Sequence, residues 1–553
     1  MRVHYPRTPH LPWSPGAAAD DVRVTGMAGL AGREVVVTEK LDGENTTLYA
    51  DGLHARSLDS AHHPSRAWVK SLQGLVGASI PPGWRVCGEN VFARHSLAYD
   101  DLDSWFYAFS VWDGDRCLDW DATVRFARDR GMPVPPVLWR GVFDEKALRA
   151  VRLDLTRQEG YVVRAVDGFD RGEFADRVAK WVRRGHVQTD THWTRAPVVV
   201  NRRGPAAALW DVRAGFPVDT PALLAACGMP TTSTVDLSRL ELHRTGDARL
   251  AGVLATLLHA SPRSWLMARL AGLGMPLARR VADLVGLRSL LYRDFPDEAR
   301  RAGLTRLAMA ADLEVLHAVA AAVGDAAAVE WSALHAAEAA LLTADPWRPL
   351  RAAVAEGLVD KDVRDRCWAE ARAAFADGRL HTPAEAAAVT WRWRSGNFPR
   401  LIVMVGPAGS GKSTFAGTLA ADEVVSLDSL RAARGARADQ RANPEVLRTG
   451  LDRLDKALAR GGTVVWDATA LNRRQRSTVA AVAAGRDALV THVVMVVGEE
   501  EAMRRNASRQ HPVPASVLSA QFARFVPPYP GEAHRTWYVG ASGTVEDVDD
   551  AHQ

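Results

Sequence analysis

The chain has 553 residues, 47% of them hydrophobic, with a formal net charge of +4; this is too long for one core and implies two to four domains of a soluble globular protein. So slight a charge excludes a global nucleic-acid field, and any such contact must come from local basic patches. Cys87, Cys117, Cys227 and Cys367 are scattered without a Cys-x-x-Cys pair, no signal-peptide block opens the chain and no apolar run reaches membrane length, so structural zinc is excluded and a reducing, cytoplasmic location is expected.

Val35-Val36-Val37 predicts a buried strand that delivers Lys40 to the tight, glycine-relaxed turn Leu41-Asp42-Gly43-Glu44-Asn45. Burial beside metal-bound phosphate can lower a lysine pKa by up to roughly 3–5 units, freeing the amine to attack phosphorus. Asp51-Gly52 is a hairpin signal between two strand-like runs; a two-residue turn there sets Arg56 opposite Thr47, where it can fork onto phosphate. Further on, the strand 84–90 carries Glu89, and the aromatic strand 106–112 carries Phe109. Glu159 opens a strand through Arg164, and the basic run 177–184 carries Lys180.

The order of these pieces resembles the motif succession of covalent nucleotidyltransferases, in particular ATP-dependent RNA ligases of the phage type, over about the first 190 residues. The resemblance implies an α+β nucleotidyltransferase with an ATP-grasp-like ligase core, antiparallel sheets around a nucleotide cleft. It also implies roles. Lys40 attacks the ATP α-phosphate and holds AMP, Arg56 meets phosphate, Glu89 the ribose, and Phe109 stacks on adenine. Glu159 helps bind the metal, and Lys180 steadies charge on phosphorus. The family's last motif commonly has two lysines two apart; here Val182 stands at the second place, and Arg183 is the candidate substitute.

From Ala196 to about Ala388, Ala, Leu and Arg dominate, with apolar residues at helical spacing as in Leu250-Val253-Leu254-Leu257-Leu258. An α-helical middle domain is expected. It faintly resembles metal-dependent phosphohydrolases of the HD type, with His243, His259 and Asp312 at three ligand places. The decisive His-Asp pair is His259-Ala260, and losing that carboxylate removes an anionic ligand. An inactive scaffold is expected.

Leu401–Val405 predicts a buried strand running into Gly406-Pro407-Ala408-Gly409-Ser410-Gly411-Lys412-Ser413, the full Walker A pattern, with Thr414 opening a helix. Gly406, Gly409 and Gly411 let amides face phosphate, Lys412 meets the β- and γ-phosphates, and Ser413 takes Mg²⁺. Two more strands end at Asp428 and Asp467, a general base and a metal or phosphate organiser at the ligand edge of a parallel sheet. Arg505 and Arg509, four apart, predict a phosphate clamp on one helical face.

The segment from about Phe398 onward resembles the phage-type polynucleotide 5′-kinase, an α/β P-loop fold with a parallel sheet. By that resemblance Asp428 takes the proton from a 5′-hydroxyl, Arg431 holds the acceptor's scissile phosphate, and Arg509 braces the donor. The expected organisation is a ligase domain over 1–195, a connecting segment and helical domain over 196–390, and a kinase domain over 391–553. The expected activity is RNA end healing and sealing with ATP and Mg²⁺ or Mn²⁺, on broken RNA ends carrying 5′-hydroxyl or 5′-phosphate and 3′-hydroxyl. The rival is a small-molecule kinase fused to a nucleotidyltransferase that modifies a protein or metabolite.

Overall fold

A computed structural model of the chain describes residues 2–18, 21–24, 26–58, 62–185, 197–292, 297–434 and 443–549. The chain divides into two units, Met1–Thr234 with His243–Leu250 and Val235–Leu242 with Ala251–Gln553. The domain limit expected at 195/196 lies outside the described residues.

The first unit is built on β1 (Glu34–Lys40), β2 (Glu44–Tyr49), β3 (Gly52–His54), β4 (Trp84–Asn90), β5 (Phe106–Asp113), β6 (Arg116–Cys117), β7 (Val137–Val142), β8 (Gly160–Ala165), β9 (Phe169–Asp170) and β10 (Val178–Val182). They form two antiparallel sheets, ordered β10-β8-β1-β7 and β3-β2-β4-β5-β6-β9. Consecutive strands β1 and β2 therefore belong to different sheets, and the turn Leu41–Gly43 carries the chain across. Gly43 is needed there for closeness rather than for an unusual φ: a Cβ on it would lie 2.5 Å from the Asn90 carbonyl oxygen.

Strand alternation sorts the faces. Val35, Val37, Tyr161, Val163, Ala165 and Ala179 pack together on one side of the smaller sheet. Fully burying an aliphatic side chain of this kind is worth roughly 1.5–3 kcal/mol. Lys40 and Lys180 take the opposite side, since Thr38 and Lys180 both pair with Val162 while Lys40 pairs with Gly160 two residues on. On the larger sheet Leu48, Val86, Phe106, Ala108 and Val111 face a core completed by the helix Ala67–Val76.

The hairpin departs from expectation. Tyr49 pairs with Gly52 and Thr47 with His54, so the turn is Ala50-Asp51 and Gly52, at φ +144°, starts the return strand. Arg2 packs on this turn: its guanidinium pairs with the Asp51 carboxylate at 3.2 Å and lies 4.5 Å from the Tyr49 ring centre. Arg56 is thus not opposite Thr47 but lies beyond the last strand pair.

In the second unit the middle of the chain is helical, including Arg263–Leu270, Met275–Leu287, Leu313–Val323 and Lys361–Ala376. The helix Gly246–Leu257, divided between the two units after Leu250, buries Leu250, Val253, Leu254 and Leu257, as its spacing predicts. The C-terminal strands are β11 (Arg400–Val405), β12 (Glu423–Ser426), β13 (Thr463–Asp467), β14 (Leu489–Met495), β15 (Arg535–Val539) and β16 (Val545–Asp549), in the order β12-β13-β11-β14-β15-β16. All pairings are parallel except β15 with β16. Ion pairs join helices to this sheet. Arg535 meets Asp362 at 2.6 Å and Asp365 at 3.0 Å, and Arg279 meets Asp547 at 2.7 Å. No described helix is long and apolar enough to cross a membrane.

Candidate active sites

The first cleft lies where the two sheets face each other. Lys40 Nζ is 2.5 Å from Glu159 Oε2, and Glu89 Oε1 accepts from the Gly43 amide at 3.2 Å. Burial by itself lowers the Lys40 pKa, but Glu159, Glu89 and Asp42 outweigh it and raise the value. Three carboxylates around one amine thus favour its protonated form. Glu89 is pushed up to about 8 by burial, with Glu159 and Asp42 adding to the effect against Lys40. Lys180 is lowered by burial and then by the charge of Lys40, with Arg56 contributing. Lys40 and Arg56 thus both act on Lys180, although Arg56 itself is exposed.

Phe109 sits at the deep end, in a cluster with Val162 and Tyr5; the Tyr5 ring centre is 5.1 Å from it, edge-on. Arg183 does not stand in for a second lysine. Its guanidinium donates to the Leu155 carbonyl at 2.8 Å and its amide to the Glu159 carbonyl at 3.1 Å, because the step of three from Lys180 changes strand face. Asp42 is a residue the motif order left without a role. Its carboxylate accepts from the Ser96 and Leu97 amides at 2.8 Å each, latching the turn behind Lys40. Tyr5 carried no sequence signal at all.

Among the described residues no group of three or more His, Cys, Asp or Glu gathers as a metal cage. That includes His243, His259 and Asp312: Asp312 caps the helix Leu313–Val323 through the Glu314 and Val315 amides, and His259 bonds the Thr256 carbonyl. In the cleft, Glu159 offers one acidic oxygen donor beside Lys40, which suits a divalent cation completed by substrate phosphates.

The second site is the P-loop at the carboxyl end of β11. Gly406, Gly409 and Gly411 have φ of +149°, +76° and +96°. Gly409 is also packed so tightly that a Cβ would lie 2.4 Å from the Ala502 carbonyl oxygen. Lys412 is buried, donates to the Pro407 carbonyl at 2.7 Å, and is lowered to about 8 by burial against the pull of Asp467 and Asp428. Ser413 Oγ donates to Asp467 Oδ2 at 3.0 Å, a hydroxyl–carboxylate pair of the kind that holds Mg²⁺ beside a nucleotide. Thr414 is exposed in the first turn of the helix Lys412–Ala416. The strand expected to end at Asp428 stops at Ser426, the register partner of Asp467, and Asp428 lies in the first turn of the helix Leu427–Ala433 that follows at once, ion-paired with Arg431.

The arginine clamp differs from its expected form. The helix runs Glu499–Ala507, so Arg505 is helical and Arg509 lies beyond it. The side chain of Asn506 binds both the amide and the carbonyl of Val513, at 2.9 and 2.7 Å, and closes the chain into a loop. Arg505 is held by Glu501 and the Ala541 carbonyl, its guanidinium 3.6 Å from a Cβ built on Gly411. The Arg509 charge is felt at Lys412. Gln521, unforeseen from sequence, accepts from the Ala408 amide at 2.7 Å.

Comparison with known proteins matches one segment in each unit. Residues 33–182 match the family model described as RNA ligase, and residues 401–528 match one described as AAA domain. The chain thus carries a segment similar to RNA ligases and, beyond a helical region, a P-loop segment similar to AAA domains. Among solved structures, a chain of the Pnkp1/Rnl/Hen1 RNA repair complex is 22% identical over 23% of this chain and 44% of its own, with a TM-score of 0.22. An RNA ligase of Naegleria gruberi solved with ATP and Mn is 19% identical over 28% of this chain and 51% of its own, at 0.21. A gluconokinase of Sinorhizobium meliloti 1021 is 24% identical over 26% of this chain and 84% of its own, at 0.20. This chain therefore spans less than two thirds of the length of the repair-complex chain and of the ligase. No curated protein matches it.

Proposed function

We propose that the protein heals and seals broken RNA, in three parts over 1–195, 196–390 and 391–553. The P-loop segment phosphorylates a 5′-hydroxyl RNA end, and the ligase segment joins the resulting 5′-phosphate to a 3′-hydroxyl. The observation that carries the proposal is the contact of Lys40 with Glu159 at 2.5 Å, with Glu89 and Lys180 in electrostatic reach. It sets an amine nucleophile among the charges that a nucleotidyl transfer needs.

The Lys40 amine attacks the ATP α-phosphorus; an N–P bond forms, the bond to the β-phosphate oxygen breaks, and pyrophosphate leaves. AMP then passes to the 5′-phosphate of RNA, and the 3′-hydroxyl displaces it. Before attack Lys40 must give up the proton that the surrounding carboxylates favour. Glu159 would help hold a divalent cation, which would supply neutralisation of negative charge on the substrate phosphates. Lys180 faces the developing negative charge, and one such preorganised donor is worth roughly 2.7–4 kcal/mol. Glu89 binds ribose and Phe109 stacks on adenine. In the P-loop segment Lys412 holds donor phosphates, Asp428 removes the acceptor hydroxyl proton, Arg431 positions the acceptor, and Arg505 and Arg509 brace the donor.

Two labels test this. With α-labelled ATP, label must remain covalently on the protein; with γ-labelled ATP it must pass to a 5′-hydroxyl oligoribonucleotide in preference to nucleosides and sugars. Transfer to a sugar alone would favour the small-molecule kinase.

A further inference from the structure

We propose that Arg473, Arg474 and Arg524 hold the phosphodiester backbone of the acceptor strand beyond its 5′-terminal nucleotide, so that the kinase site selects polynucleotide over nucleotide. The proposal rests on the polynucleotide kinase assignment above.

The sequence has no acidic residue between Asp467 and Asp487, and none between Glu501 and Glu532. Arginines in these two windows therefore depend on partners from outside. Several find one: Arg476 closes on Glu532 at 2.5 Å, Arg486 on Asp455 at 2.7 Å, and Arg504 and Arg505 on Glu501 at 2.6 Å each. Arg473, Arg474 and Arg524 are exposed and have no carboxylate partner among the described residues. Arg524 Nε donates instead to the Ala520 carbonyl of its own helix at 3.0 Å.

The fold brings the three together. Arg476 is buried and donates to the carbonyls of Ala470 at 3.1 Å and Val526 at 2.9 Å. The Val526 amide in turn donates to the Leu471 carbonyl at 2.9 Å. The last turn of the helix Ala515–Arg524 is thereby pinned beside the first turn of the helix Arg473–Ala484. Ala470, a non-glycine residue at φ +45°, is held in the left-handed region by this clamp. The same turn joins the P-loop, since the Gly406 amide donates to the Thr469 carbonyl at 2.9 Å.

Arg473 and Arg474 thus open the helix that follows Asp467 by a short turn, and Arg524 ends the helix whose trailing residue Val526 is pinned to that turn. An acceptor that ended at its phosphorylated sugar would leave these arginines unused. A strand that presents its 5′-hydroxyl to Asp428 must continue outward, and its phosphates are the anions that unpaired arginines bind.

The test compares a short 5′-hydroxyl oligoribonucleotide with a nucleoside 3′-monophosphate as acceptors, across a range of salt. In the full-length protein, Arg473→Ala with Arg474→Ala should lower the ratio of kcat/KM on oligomer to that on mononucleotide by roughly tenfold. The salt dependence of oligomer KM should weaken by ~0.7 in log–log slope for each phosphate no longer neutralised. Arg524→Ala should act in the same direction, and the lysine replacements should keep the parental slope because they keep the charge. An unchanged ratio and slope in the alanine variants, with the parent active on RNA, overturns the proposal alone. A parent inactive on both acceptors overturns the kinase assignment, and with it the role of these arginines.

Discussion

Lys40 is half-buried and Lys412 buried, and their environments push them in opposite directions. Lys40 is raised by Glu159, Glu89 and Asp42, whereas Lys412 is lowered to about 8 because burial exceeds what Asp467 and Asp428 return. Lys40→Ala should abolish covalent labelling from α-labelled ATP while leaving 5′-phosphorylation near the parent rate; persistent labelling would remove Lys40 as nucleophile. Lys40→Arg should fail equally, since a guanidinium keeps its proton at any workable pH. For Lys412 the consequence reaches stability. A lysine whose folded pKa lies below its unfolded value costs the folded state at neutral pH, and the cost fades as pH rises from about 8 to above 10. Lys412→Met should therefore raise the thermal transition of the ligand-free protein at pH 7, by the equivalent of roughly 3 kcal/mol at most. The gain should shrink as pH approaches 10. A gain that grew with pH would contradict the burial explanation.

At the scale of elements, strands and the P-loop were legible because their signals are local. Val35-Val36-Val37 and Leu401–Val405 form strands where their apolar runs begin, and the Gly406–Ser413 pattern sits between strand and helix as the motif requires. Faces and registers were less legible, because they depend on distant partners. Arg2 contacts the hairpin turn at Asp51 from far off in the chain, and Asn506 binds Val513 where the helix has ended before Arg509. Neither contact shows in local sequence. Arg183 could have been placed by counting alternation from Lys180. The joining of helices to the P-loop sheet is also non-local. Arg535 is buried and answered by Asp362 and Asp365, and Arg279 by Asp547. A fragment starting at residue 391 would lose the partners of Arg535 and Asp547 together with the helices that carry them. Such a fragment should be insoluble or should melt far below one starting at residue 251. Equal melting of the two would show that the ion pairs are dispensable.

Over the whole molecule the two chemistries form a sequence only if one site's product is the other's substrate. Asp428 acts when the 5′-hydroxyl loses its proton, where a positioned base contributes roughly 10²–10⁴-fold. Lys412 acts throughout transfer by holding the donor phosphates. Neither belongs to the cleft around Lys40, and the two sites fall in different units of the chain. Asp428→Ala and Lys412→Ala should therefore block sealing of RNA that begins with a 5′-hydroxyl. The same variants should join RNA supplied with a ready 5′-phosphate and a 3′-hydroxyl at close to the parent rate, which gel analysis of both substrates in parallel would measure. Equal loss on both substrates would mean that the ligase needs an intact P-loop segment for its own structure. Unchanged sealing of the 5′-hydroxyl substrate would remove the kinase step from the pathway.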